Sequence, residues 1–327
     1  MPSKQIKSAK DFLNKTFIDN TLWANMEPEF QWLTMFPRMP TDAKAISYKV
    51  QDYNAYTDPK KQKPARRVSS TKFPRITISE LSEEFARMEG EGYEVEIDQD
   101  ILDYPDELDD FDRAINYLGA WMAEHINARI LSTMIANVHT ETTGDALYDN
   151  KNGESPNPVW SEEGAKYLAD LTLFRRDFNR IAKPYKLSDI FLYDENWAEY
   201  SDSLINTGVS MDVYKDLGGG FDFNSGKITI PRLGVTLHEV TTEEGAIPEG
   251  AMLGLSSTKG AEIGTLYYAQ TGNKYLANPT TGAGRNVVGL HTKIFENDNG
   301  NYVIRVWAKY AFTVKRPNYG LYLASGI

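Results

Sequence analysis

The sequence predicts an α+β chain organised around one long helix, and three observations predict it. Apolar residues recur at threes and fours from Leu108 to Met134 with no proline between them. An alternating but apolar-poor stretch precedes that helix, and a strand pair around an Asn-Gly turn closes the chain. With 327 residues there is room for two domains, or for one domain with large excursions.

The helix is expected over residues 105–138. Pro105 suits a first helical position, because its missing N–H is one the helix could not have used. Asp106, Glu107, Asp109 and Asp110 complement the positive end of the helix dipole. Leu108, Phe111, Ile115, Leu118, Met122, Ile126, Ile130 and Met134 form the inward stripe, which Trp121, Leu131 and Ile135 are expected to widen. At about 1.5 Å per residue this helix is on the order of 45 to 50 Å long. That length suits a strut; the alternative is a buried helix in an ordinary globular protein.

Residues 1–44 read as an irregular arm carrying Phe12, Trp23, Trp32 and Phe36 with Pro37 and Pro40. Such a segment either lies on a surface outside its own domain or packs as a terminal helix on that domain. Residues 45–56 alternate as a strand, with Ile46, Tyr48 and Val50 on one side. The run Asp58-Pro59-Lys60-Lys61-Gln62-Lys63-Pro64 is an exposed tip. The chain returns through strand-like residues 73–78, 83–88 and 92–97. This long hairpin carries too little apolar surface to stand alone, so it needs a partner surface outside itself.

After the helix, residues 145–158 are a polar loop. A second helix is expected from Ser161 as N-cap, with Tyr167, Leu168, Leu171 and Phe174 along one face. A strand over residues 189–193, a helix over 195–205 and short strands over 227–235, 238–240, 252–256 and 264–269 follow. Together they have the composition of a compact α/β body with its own core. Residues 287–312 form an antiparallel pair, and Asn299-Gly300 favours a type I′ turn between its strands.

Composition narrows the function. Zero cysteines remove a disulfide framework, thiol catalysis and the usual ligands of structural zinc. The first twenty residues have no apolar signal core and no run of about 18 apolar residues occurs, so a soluble chain is expected with no membrane partner. A formal charge of −11 argues against a protein whose main task is gripping nucleic-acid phosphates. Its distribution says more. Residues 57–75 carry a net +6 (Lys60, Lys61, Lys63, Arg66, Arg67, Lys72 and Arg75 against Asp58), and residues 79–112 carry a net −14. Adjacent blocks of opposite sign point to contact with copies of the same chain or with one another.

The order of these pieces, with Tyr93-Glu94-Val95-Glu96-Ile97-Asp98-Gln99-Asp100-Ile101-Leu102 running into the helix, resembles the tailed-phage major capsid proteins of the Hong Kong 97-like fold. Three further pieces carry the resemblance over nearly the whole chain. They are Asp189-Ile190-Phe191-Leu192-Tyr193 before a Trp197-bearing helix, Ile230-Pro231-Arg232-Leu233-Gly234 leading to Ile247-Pro248-Glu249-Gly250, and Arg305-Val306-Trp307-Ala308-Lys309-Tyr310-Ala311-Phe312-Thr313-Val314 before Arg316-Pro317.

The resemblance implies an N-terminal arm (1–44) and an extended E-loop (45–97, basic tip 57–75). It also implies a P-domain with its spine helix (98–158 and 285–316) and an α/β A-domain (159–284 and 317–327). It implies a non-enzymatic viral head protein that self-assembles through hexamers and pentamers into an icosahedral shell around double-stranded DNA. Its localisation would be the virion, assembled in the host cytoplasm. The expected partners are copies of the chain, portal and scaffolding proteins, and non-specifically the packaged DNA. No long scaffold-like segment precedes the arm, so scaffolding is expected to be separate or absent. Some family members join an E-loop lysine to a neighbour's asparagine, but no such pair is matched here.

The contact residues expected between subunits are Lys60, Lys61, Lys63, Arg66, Arg67, Lys72 and Arg75 against Glu83, Glu84, Glu94, Glu96, Asp106, Asp109 and Asp110. No cofactor or metal site is expected. His125, His139, His238 and His291 have no ligand spacing, and no Walker, dinucleotide or Gly-x-Ser-x-Gly motif occurs. His125 is read as a packing residue. A cargo compartment of the encapsulin type is the alternative within the fold. A two-domain enzyme with its chemistry around residues 189–238 is the alternative outside it.

Overall fold

The computed structural model describes residues 18, 21–22, 26, 32, 35–50, 82–98, 108–141, 167–182, 185–206, 221–222, 226–240, 247–248, 250–258, 262–269, 289–298 and 300–323. In chain order, β1 (Arg38–Thr41) is followed by β2 (Ala45–Val50), β3 (Ser82–Arg87) and β4 (Glu89–Ile97). Then come the long helix α1 (Leu108–Asn137) and β5 (His139–Glu141). The middle of the chain supplies α2 (Tyr167–Ile181), β6 (Asp189–Tyr193), α3 (Asp194–Asn206) and β7 (Phe221–Asp222). It continues with β8 (Lys227–Ile230), β9 (Val235–Val240), β10 (Met252–Leu255) and β11 (Gly264–Ala269). The chain closes with β12 (Leu290–Glu296), β13 (Tyr302–Val314) and β14 (Gly320–Leu323).

The helix α1 runs 30 residues without a break, about 45 Å at 1.5 Å per residue. Ile115, Leu118, Met122, Ile126, Ile130, Leu131 and Met134 are buried, as their spacing predicts. Trp121 is not. It faces solvent, because a three-and-four pattern assigns every apolar residue inward whether or not anything waits to cover it. The expected first helical residue, Pro105, lies outside the described residues.

Besides a two-stranded ribbon, the described strands form two sheets, and the helix packs on the first. In the first, β13 is central: β4 pairs along one side of it from Ile97↔Tyr302 to Glu89↔Tyr310, β12 and β11 pair along the other, and β1 adds to β11 in parallel. The second has the order β5-β14-β10-β6-β9-β8-β7. Its strand β6 is buried from Asp189 to Leu192, which a central strand covered on both faces requires. The ribbon β2-β3 pairs only with itself among the described residues.

The sheets draw strands from distant parts of the chain. β4 is a full member of the β13 sheet instead of part of a free hairpin, β5 belongs to the second sheet, and β11 to the first. The stretch 227–235 is two strands, not one. Pro231 ends β8, and Gly234 at φ 62° turns the chain into β9. The β12-β13 connection is longer than a two-residue type I′ turn. The Asn297 N–H donates to the Asn301 carbonyl, the Gly300 N–H donates to the Asn297 carbonyl, and Gly300 sits at φ 88°. Asn299 lies outside the described residues.

One apolar cluster joins α1, both sheets and the arm. Ile18, Leu22, Met26, Trp32 and Phe36 are buried in it, so these arm residues pack on their own chain. Trp32 stands 4.4 Å from the Phe191 ring, and Phe36 stands 4.9 Å from Phe312.

Candidate assembly surface

The ribbon is built from residues that pair well and bury little. β2 and β3 run antiparallel from Ala45↔Arg87 to Val50↔Ser82. Ile46 is the one buried side chain of these twelve residues, and Phe85 is 72% exposed. Cross-strand polar bonds replace packing: Ser47 Oγ donates to Glu83, and Tyr48 OH donates to Glu84 Oε2 at 2.9 Å. Burial, with the Glu84 bond and charge behind it, pushes the Tyr48 phenol up to about 12. Surface bonds of this kind contribute little each, roughly 0 to 1 kcal/mol.

The root of the ribbon is held differently. Past Met88 the chain continues from β3 into β4, and α1 lies across β4 with Glu91 at the crossing. Its carboxylate receives His125 Nε2 at 2.9 Å, Arg129 Nη1, and the Tyr310 hydroxyl at 3.2 Å. Arg129 also pairs with Glu89. Burial, then the charge and hydrogen bond of Glu91, hold the Tyr310 phenol far above its ordinary range. His125 is thus a packing residue with a partner, bridging helix and strand.

Beyond this hub is an aromatic face. Tyr117 and Trp121 stack one helical turn apart with ring centres 6.1 Å apart, and Tyr93 of β4 meets Trp121 at 6.3 Å. Tyr117 is 55% and Trp121 51% exposed.

The expected contact residues divide into four groups. Lys60, Lys61, Lys63, Arg66, Arg67, Lys72, Arg75 and Asp106 lie outside the described residues. Asp109 and Asp110 lie in the first turn of α1. Glu83 and Glu84 sit on the ribbon, each with the donor given above. Glu94 and Glu96 sit on the opposite face of β4 from Glu91: Glu94 pairs with Arg305, and Glu96 receives Asn297 Nδ2 at 2.6 Å and Asn301 Nδ2 at 2.8 Å. These four carboxylates therefore have bonds within their own chain. Sequence reading missed Glu91 and the aromatic face. The signal was the i, i+4 series Tyr117, Trp121, His125, which reads as one helix face once burial is known.

Residues 189–238 hold an Asp-His pair that bears on the enzyme alternative. Asp189 Oδ1 meets His238 Nε2 at 2.8 Å, and Ser188 Oγ donates to Asp189 Oδ2 at 2.7 Å. The serine thus bonds the carboxylate and not the imidazole, the reverse of the order a nucleophilic triad uses. The His238 ring stacks 4.7 Å from Phe191, which fits a packing role. Among the described residues no helix is long and apolar enough to cross a membrane.

Neither protein-family models nor curated proteins give a match to the sequence. Solved structures do. The chain is similar to a virus-like particle from Pyrococcus furiosus, with a TM-score of 0.52 and 7% identity over 93% of this chain and 96% of that one. It is similar to the holo-SrpI encapsulin complex from Synechococcus elongatus, with a TM-score of 0.51 and 14% identity over 89% and 86%. It is also similar to Microbacterium phage Oxtober96, with a TM-score of 0.51 and 11% identity over 91% and 88%. The chain has the Hong Kong 97-like fold, a mixed α+β fold shared by phage capsids and encapsulins.

Proposed function

From the Hong Kong 97-like fold as premise, we propose that this chain is the subunit of a closed protein shell, a phage major capsid protein that assembles through hexamers and pentamers around double-stranded DNA. The observation that carries the reading is the ribbon: twelve paired residues that bury one side chain of their own chain. Strand pairs of that kind are marginal in water unless another surface covers them. In this reading residues 1–44 are the arm, and residues 45–97 are the E-loop rooted through β4. Residues 98–158 and 285–316 are the P-domain around the spine helix α1, and residues 159–284 and 317–327 are the A-domain.

The basic segment 57–75 reaches over a neighbouring copy and meets acid from its residues 80–112. Each subunit gives its ribbon and receives another, a heterologous contact whose repetition closes rings, and rings tile a shell. Individual surface pairs are weak, so many repeated contacts supply the cohesion. Portal and scaffolding proteins are the further partners, and contact with DNA is non-specific. A chain of net charge −11 leaves neutralisation of the genome to mobile counterions.

An encapsulin-like compartment enclosing cargo protein is the second reading. The equal TM-scores, 0.51 to the encapsulin and 0.51 to the phage structure, favour it as much as the first. Sedimentation of the purified chain from about 0.05 to about 1 M salt tests both. Large particles whose yield depends on salt are expected; subunits that stay single at every salt and concentration contradict shell assembly. DNA inside particles from the native source separates capsid from cargo compartment.

A further inference from the structure

We infer that the basic end of α2 in one copy of the chain docks on the acidic helix α3 of the next copy. This rests on the shell reading and adds to it a charged contact between subunit bodies that does not involve the ribbon.

The two helices that pack on the second sheet carry opposite charge. Phe174 of α2 lies over Gly254 of β10, and α3 packs on β6 and β9. Residues 175–186 hold Arg175, Arg176, Arg180, Lys183 and Lys186 against Asp177, a net +4. Helix α3 holds Asp194, Glu195, Glu199 and Asp202 and no base, a net −4. Burial sharpens the contrast. Asp177 is covered and bound by Arg176 and Arg180, whose side chains are 60% and 65% exposed, so this end of α2 shows cations to solvent. Lys186 is exposed beyond it, and on α3 so are Asp194, Glu195 and Asp202.

Position favours a second copy over the chain's own α3. The helices meet at the other end of α2, where the Tyr167 ring stands 5.9 Å from Tyr200. Burial, then the charges of Glu199 and Asp202, hold the Tyr167 phenol above its ordinary range, which places that acid beside the contact. Arg180 lies 13 residues further along α2, about 20 Å away. Charges on a surface are largely screened beyond about 10 Å at 0.1 M salt. The acid beside Tyr167 therefore acts weakly on the basic end of its own α2, whereas α3 of another copy can be laid against it. Base and acid at different places on one body make a heterologous contact, and its repetition closes a ring. A polyanion suits the basic end less well: it would approach a chain of net −11, while α3 matches the patch charge for charge.

The test uses the full chain. Arg180→Glu with Lys186→Glu, Glu195→Lys with Asp202→Lys, and all four changes together are compared with wild type. Arg176 is kept to hold Asp177. The readout is the concentration at which half the protein assembles at fixed low salt, beside a urea midpoint that reports folding. Each reversed pair is expected to raise that concentration on the order of tenfold, and the fourfold swap, which restores opposite charges across the contact, to bring it back near wild type. Assembly that ignores either pair, or effects that multiply in the swap, overturns the inference while leaving the shell reading standing. So does an Arg180→Glu, Lys186→Glu chain that assembles as wild type but retains less nucleic acid, which assigns the basic end to a polyanion. Wild type that never assembles overturns both. A second measurement does not depend on assembly strength. The chain has no cysteine, so a mixture of Lys186→Cys and Asp202→Cys copies under a mild oxidant should give disulfide-linked pairs in assembled material. Assembled particles without that cross-link contradict the contact.

Discussion

Replacing Glu91 by alanine tests how the ribbon is anchored to the helix. The carboxylate gathers donors from three elements: His125 and Arg129 of α1, and Tyr310 of β13, around its own strand β4. Removing it strands them unequally. Tyr310 is only 4% exposed, so its hydroxyl loses its bond without gaining water, a cost of about 1 to 3 kcal/mol. His125 and Arg129 are partly exposed, and Arg129 keeps Glu89, so their losses are about 0 to 1 kcal/mol each. The expected loss is therefore about 2 to 4 kcal/mol, most of it at the tyrosine. Urea unfolding of the dispersed chain measures it, with an unchanged m-value marking a pure stability effect. Adding Tyr310→Phe to Glu91→Ala should restore about 1 to 2 kcal/mol, since the orphaned hydroxyl is gone. A loss below about 0.5 kcal/mol, or no recovery in the double variant, refutes Glu91 as the clamp.

Two other perturbations probe neighbouring parts of the fold. Gly92→Ala would put a Cβ 2.1 Å from the Val306 carbonyl oxygen and 2.6 Å from Trp307 Cα. Those are backbone atoms, so no rotamer relieves the clash; amide exchange along β4 should accelerate with a loss above about 3 kcal/mol, and a neutral variant contradicts the β4-β13 register. At Asp189 burial pushes the carboxyl up, but hydrogen bonds from His238, Ser188 and Ser257 and the charge of His238 outweigh it, leaving it below its ordinary value. Its contribution is then complete above the unfolded value near 3.9 and is lost as pH falls through the lower folded value. Unfolding at pH 7 and pH 3 should show wild type losing more stability on acidification than Asp189→Asn; equal losses contradict the assignment.

Local period was legible in the sequence, and its partners were not. The strand over residues 189–193 came out to the residue because an unbroken apolar run bounded by polar residues has one reading as a central strand. The ribbon was legible as strands poor in apolar residues, and Ile46 alone is buried there. Trp121 was misplaced because periodicity ranks residues by type and cannot see how much of that face stays exposed, about half of this side chain. The partners of β5 and β11 could not be read ahead, since a three- or six-residue strand carries no mark of the strand it pairs with. Trp32 reached Phe191, one of the two readings left open for the arm. Glu91 looked like one acid among fifteen. What distinguishes it, three donors converging from other elements, exists only after folding.

Whether copies of this chain complete one another is answered most directly by imaging purified protein at low salt in the electron microscope. The account predicts closed particles of uniform diameter, in which the ribbon of each subunit lies across the α1 helix of the next. A field of single subunits at every concentration tried, or particles whose ribbons fold back on their own bodies, would contradict it.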